Sequence, residues 1–81
     1  MTVLLSKRAI NILLMLLDLE GSITTQELAE NFTVSVRTIK YDLEDIRAWF
    51  EQHDETLYSK RNKGIWLDLP DSKRLLLKNE I

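Results

Sequence analysis

The sequence predicts a mainly α domain carrying one small β-hairpin, and three observations support that expectation. Residues 35–50, SVRTIKYDLEDIRAWF, place Ile39, Leu43, Ile46 and Phe50 at successive spacings of four, three and four, which stacks them on one buried helical stripe. Two earlier stretches, 6–19 and 24–31, each open on a capping residue and continue with helical apolar spacing. The pattern then changes: residues 57–60 and 65–69 flank Arg61-Asn62-Lys63-Gly64, which reads as a hairpin whose glycine takes the positive-φ position.

Taken in order, Ser6 caps a first helix running to about Leu19, with Gly21 placed to end it in a left-handed turn. Ile10, Leu13, Leu14 and Leu17 form its expected main stripe. Ile12, Met15, Leu16 and Leu19 widen the apolar surface, to be covered either by another domain or subunit or by residues 3–5 and the C-terminal segment. Ser22-Ile23-Thr24 is extended in character and suits a short strand. Thr24 followed by Glu27 is a capping box opening a second helix to about Asn31, with Leu28, Ala29 and Phe32 apolar. Thr33-Val34 leads directly to the Ser35 cap of the third helix, and a link this short makes the two helices cross steeply. Ala29 stands where they approach. Residues 51–55 close the third helix. Beyond them Ile65, Leu67 and Leu69 alternate toward one face, Pro70 ends the second strand, and Asp71 or Ser72 caps a last helix reaching Ile81.

An 81-residue chain is one domain, and without cysteine it has neither disulfides nor thiolate metal sites. We expect residues 1–70 to be the domain proper and 71–81 a helix or linker leading to further domains downstream. The apolar run after Lys7 and Arg8 is interrupted by Asn11 and followed by Asp18 and Glu20, so it reads as a core helix rather than a signal peptide. It is also short of the ~20 apolar residues that span a bilayer. The expected location is the cytoplasm, with no membrane partner.

A net charge of −2 argues against indiscriminate nucleic-acid binding, but the charge is unevenly distributed. Residues 31–41 contain Arg37 and Lys40 and no acid; residues 56–67 contain Lys60, Arg61 and Lys63 and no acid. Arg37, Lys40 and Tyr41 project from the third helix opposite its apolar stripe. Its N-terminus, capped by Ser35, suits an anion such as phosphate. Glu44 and Asp45 restrict the contact to the first two turns. Arg37 is the candidate for guanine, whose O6 and N7 match a guanidinium fork in the major groove, and Lys40 for phosphate. Tyr41 meets a base methyl or a phosphate, or packs on the hairpin. Trp49 and Trp66 are expected to pack, and Asp42 to pair with Lys7, Arg8 or Arg37. No nucleophile, base and orienting group converge, so no enzymatic activity is expected, and no cofactor, metal or small-molecule site is read in this domain.

Three helices followed by a basic two-stranded hairpin make a winged helix-turn-helix, here with an extra C-terminal helix. The stretch TTQELAENFTVSVRTIKYDLEDI resembles the helix-turn-helix segment of bacterial transcription regulators of the DeoR-like and biotin-repressor-like class. With LYSKRNKGIWL added, residues 6–69 look most like the N-terminal DNA-binding domain of BglG- and MtlR-like sugar-operon activators, which carry phosphotransferase-regulated domains. The resemblance implies binding to double-stranded DNA, as a homodimer in the full-length protein. It implies that Ser35, Arg37, Thr38, Lys40 and Tyr41 belong to the recognition helix and Arg61 and Lys63 to the wing; Val36 and Lys60 complete the residues expected to bind DNA. Thr33 departs from the pattern, since many members have glycine there; a β-branched residue either changes the turn's dihedrals or is strained. RNA ranks below duplex DNA, because the deep, narrow major groove of A-form RNA excludes a helix. A winged helix serving protein contacts alone is the competing class, with the broad apolar first helix and an exposed tryptophan as its surface.

Overall fold

A computed structural model describes residues 4–81. The elements run α1 (Lys7–Asp18), β1 (Ser22–Ile23), α2 (Thr25–Phe32), α3 (Val36–Gln52), β2 (Tyr58–Lys60), β3 (Gly64–Trp66) and α4 (Asp71–Asn79). This is a winged helix-turn-helix: a helical core with a small antiparallel sheet. The expected hairpin forms, and β1 adds to it, giving strand order β1-β3-β2. Ser22 pairs with Trp66 and Ile23 with Ile65, while Tyr58, Ser59 and Lys60 pair with Trp66, Ile65 and Gly64.

The stripe on α3 lies as its spacing demands. Ile39, Leu43, Ile46 and Phe50 are buried, with Trp49 beside them. α1 differs from expectation. Its buried positions are Ala9, Ile12, Leu13, Leu16 and Leu17, whereas Ile10 and Leu14 are half-buried. The reason is that both α3 and α4 pack on α1, and α4 contributes Leu77 to the same cluster. Leu5 also packs there; Val3, expected to help cover α1, lies outside the described residues.

Gly21 does not end α1 as expected. The helix stops at Leu19 in extended geometry, and Gly21 takes φ +86° two residues later, turning the chain into β1. The carbonyls near the stop are satisfied by Arg74 of α4, whose Nη1 donates to Leu17 O at 2.9 Å and Leu19 O at 2.8 Å. A guanidinium at a helix C-terminus also meets the negative end of the dipole. The same side chain donates to Leu67 O and Leu69 O. Those carbonyls thus face α4 and not a strand, so β3 ends at Trp66, four residues before Pro70. Pro70 instead stands at the N-cap of α4 with φ −68° and ψ 158°, where neither Asp71 nor Ser72 makes a capping bond. Proline's fixed φ preorganises that entry. The helix ends at Asn79 and does not reach Ile81.

The turn between α2 and α3 resolves the two possibilities for Thr33. It adopts φ 55° and ψ 46°, the left-handed conformation that glycine ordinarily supplies. Val34 N donates to Ala29 O at 3.0 Å, the six-to-one bond of a Schellman turn, which requires that conformation. The turn is therefore the one glycine would make, with strain of roughly 1–2 kcal/mol stored in Thr33.

Candidate nucleic-acid interface

α3 is fixed at both ends of its exposed segment. Ser35 Oγ accepts from Thr38 N at 3.1 Å and lies 3.0 Å from Thr38 Oγ1, so both side chains serve the cap. Val36 is half-buried against the core. One turn further, Asp42 is buried and meets Arg8 of α1, with Nε–Oδ2 at 2.5 Å and Nη2–Oδ1 at 3.2 Å. The hydrogen bond to Asp42, helped by charge attraction and opposed by partial desolvation, holds the Arg8 guanidinium above its usual pKa. Of the three partners expected for Asp42, Arg8 is the one present.

Between these anchors Arg37, Lys40 and Tyr41 are exposed, Tyr41 to 56%. Tyr41 meets Arg37, one turn earlier on its own helix. Its hydroxyl accepts from Arg37 Nε at 3.3 Å and Nη2 at 3.2 Å, and the guanidinium carbon lies 5.7 Å from the ring centroid.

The wing presents its basic residues differently. Lys60, Arg61 and Lys63 are all exposed, with Asn62 at φ 71° and Gly64 at φ 99° bending the loop between the strands. A Cβ on Gly64 would stand 2.4 Å from Ile23 O, so glycine is required where β1 meets the hairpin. Tyr58 stacks on its cross-strand partner Trp66 at 5.7 Å and 17°. The ammonium of Lys63 sits over that indole, 4.4 Å from the centroid. Trp66 thus packs, as expected, and so does Trp49, edge-on to Phe50 and 4.1 Å from His53.

A groove of about 410 Å³ separates α3 from the wing, lined among others by Thr25, Lys40, Ser59, Lys60 and Arg61. It continues along α3 past Leu43, Glu44 and Arg47. Lys40, Lys60 and Arg61 form no ion pair among the described residues; the three such pairs join Arg8 to Asp42, Lys73 to Glu55 and Lys78 to Asp18. The groove therefore gathers three cations without a salt bridge in an acidic protein, and Glu44 and Arg47 follow where it runs on along α3. Sequence reading missed Thr25, Ser59 and Arg47 as groove residues. Arg47 was detectable, because Lys40, Glu44 and Arg47 fall at helical spacing on one side. Ser59 was not, since its facing depends on pairing with Ile65.

Among the described residues no group of three or more His, Cys, Asp or Glu is placed to hold a metal ion. No helix among them is long and apolar enough to cross a membrane. No curated protein matches the chain. A family model described as an HTH domain matches residues 8–65, from the arginine that pairs with Asp42 to the β3 residue that closes on β1. That span takes in the three core helices and the wing but for one residue at each end, and the chain belongs to this family of helix-turn-helix domains, whose general business is DNA binding and transcription regulation.

Proposed function

We propose that the chain binds duplex DNA sequence-specifically, as the N-terminal domain of a bacterial regulator of carbohydrate uptake or metabolism. One observation carries the DNA reading: three unpaired cations, Lys40, Lys60 and Arg61, line the groove beside the exposed first turns of α3. In this reading α3 enters the major groove by its N-terminus, Arg37 reads guanine, and Lys40 and the wing hold phosphates. The helix-turn-helix family match supports it. The resemblance of residues 6–69 to BglG- and MtlR-like activators supports the carbohydrate assignment. One helix and one wing provide few contacts for a specific site in a genome, so the full-length protein acts as a homodimer on half-sites about one helical turn, or a multiple, apart.

The test is selection of bound sequences from a random duplex library, followed by Arg37→Ala on the selected site and on a scrambled duplex. Arg37→Ala is expected to lose about 1–3 kcal/mol on the selected site alone. Equal loss on both duplexes would reduce Arg37 to a phosphate contact, and failure to enrich any sequence would sink the reading. Leu75 and Leu76, exposed on α4, favour a second reading as a protein-contact module. A gel shift at low and moderate salt separates the two.

A further inference from the structure

Arg37 and Tyr41 are four residues apart, so their side chains lie one turn apart on the same helix face. A guanidinium has a side edge, formed by Nε and one Nη, and an end edge formed by the two Nη groups. The Tyr41 hydroxyl occupies the side edge, accepting from Nε and Nη2. The end edge, with Nη1 and the second Nη2 hydrogen, stays available, and that pair of parallel donors is what O6 and N7 of guanine require. No acid among the described residues pairs with Arg37. Among the described residues the Tyr41 hydroxyl is the hydrogen-bond partner of the Arg37 guanidinium, so without it no bond there fixes which edge faces outward.

We infer that Tyr41 is a positioning residue for Arg37: its hydroxyl holds the guanidinium by the side edge and presents the end edge to guanine. This rests on the DNA reading above and assigns Tyr41 a role other than touching DNA. The contribution is preorganisation, a smaller ordering cost when the base contact forms. It acts on choice of base and leaves phosphate contacts as they are.

The experiment uses the 81-residue chain in four forms: parent, Tyr41→Phe, Arg37→Ala and the double variant. Each is titrated with the selected duplex and with one in which the guanine sensed by Arg37 is replaced. Phenylalanine keeps the ring and its packing, so the fold is unchanged. Tyr41→Phe is expected to lower guanine preference about twofold to fivefold. The salt slope should not change, and in the Arg37→Ala background the same substitution should have no effect. Unchanged preference in Tyr41→Phe overturns the inference, as does an equal loss with Arg37 already removed, which would make Tyr41 a direct DNA contact. Water exchange at Arg37 Nε–H, followed by nuclear magnetic resonance on the free protein, reads the pair without DNA. Slower exchange in the parent than in Tyr41→Phe is expected. Equal rates overturn the inference while leaving the DNA reading intact, whereas a parent that binds no duplex overturns both.

Discussion

α3 and the wing each carry a small group of basic residues, and the two elements hold those residues in contrasting ways. On α3 the cations stand on a helix seventeen residues long, capped by Ser35, anchored on six buried side chains and pinned to α1 through Asp42 and Arg8. On the wing only Lys60 stands on a strand, one of three residues; Arg61 and Lys63 stand in the loop between two such strands, which bends through positive φ at Asn62 and at Gly64, the first residue of β3. The hairpin gains its stiffness from β1 on one side and the Tyr58–Trp66–Lys63 stack on the other. A rigid element keeps side-chain positions constant enough to read bases. A lightly held one adapts to a backbone whose charge is the same for every sequence. The contrast assigns base reading to α3 and phosphate contact to the wing.

The largest expected effect comes from loosening α3. Leu43 is buried on α3 one turn from Lys40, at the floor of the groove that both residues line. Leu43→Ala should cost roughly 2–5 kcal/mol. That is a large share of the roughly 5–15 kcal/mol that stabilises a domain. Thermal melts should fall steeply and DNA binding should be lost through unfolding. A variant as stable as the parent would mean that the two faces of α3 have been assigned the wrong way round.

Next comes the junction that fixes the wing. Gly64→Ala forces a Cβ into the Ile23 carbonyl and a side chain into positive φ. It should cost at least about 1–3 kcal/mol. Hydrogen exchange should show faster opening at Ile23 and Ile65 than at Ile39 and Ile46. If all four sites accelerate equally, wing and core unfold as one unit, and the wing is not the more lightly held region.

The third effect is a gain. Thr33 stores left-handed strain in the turn that sets the angle between α2 and α3. Thr33→Gly removes it, against the extra freedom glycine gives the unfolded chain, for a net gain of about 0.5–1 kcal/mol. The melting temperature should rise by about 2–8 °C. An unchanged or lower value would show that the threonine side chain contributes contacts outweighing its backbone strain.

These cases also show what was legible in the sequence. The α3 face and three N-caps were, because they depend on residues three or four apart: Ser6, Thr24 and Ser35 all cap as their spacing requires, whereas Gly21 and Asp71 or Ser72 do not. The stripe on α1 was misplaced, because the burial of Ile12 and Leu16 follows from which helices pack around α1. Pairing of β1 with β3 was hidden for the same reason: it joins residues more than forty positions apart. Arg74, bonded to four carbonyls in two segments, carried no local signal. At the candidate site, which residues are exposed and basic could be read directly. Whether each cation has a partner within the protein could not.

That last distinction divides the wing itself and sets the smallest expected effect. Arg61 has no partner among the described residues, whereas Lys63 lies over Trp66 and must leave the ring to reach a phosphate. An exposed cation–π contact contributes about 0.5–1 kcal/mol, so Lys63→Ala should lower stability by that order and shift Trp66 fluorescence. Arg61→Ala should leave stability unchanged. In a salt series on a scrambled duplex, Arg61→Ala should reduce the magnitude of the log–log slope by about 0.9, the value for one released counterion. Lys63→Ala should reduce it by less, because the lost ammonium was only partly available to DNA. Should Lys63→Ala take the full decrement with Trp66 fluorescence unmoved, the ammonium is not held on the indole in solution. Lys63 would then contact phosphate on equal terms with Arg61, and the wing would be held by its strands and glycine alone.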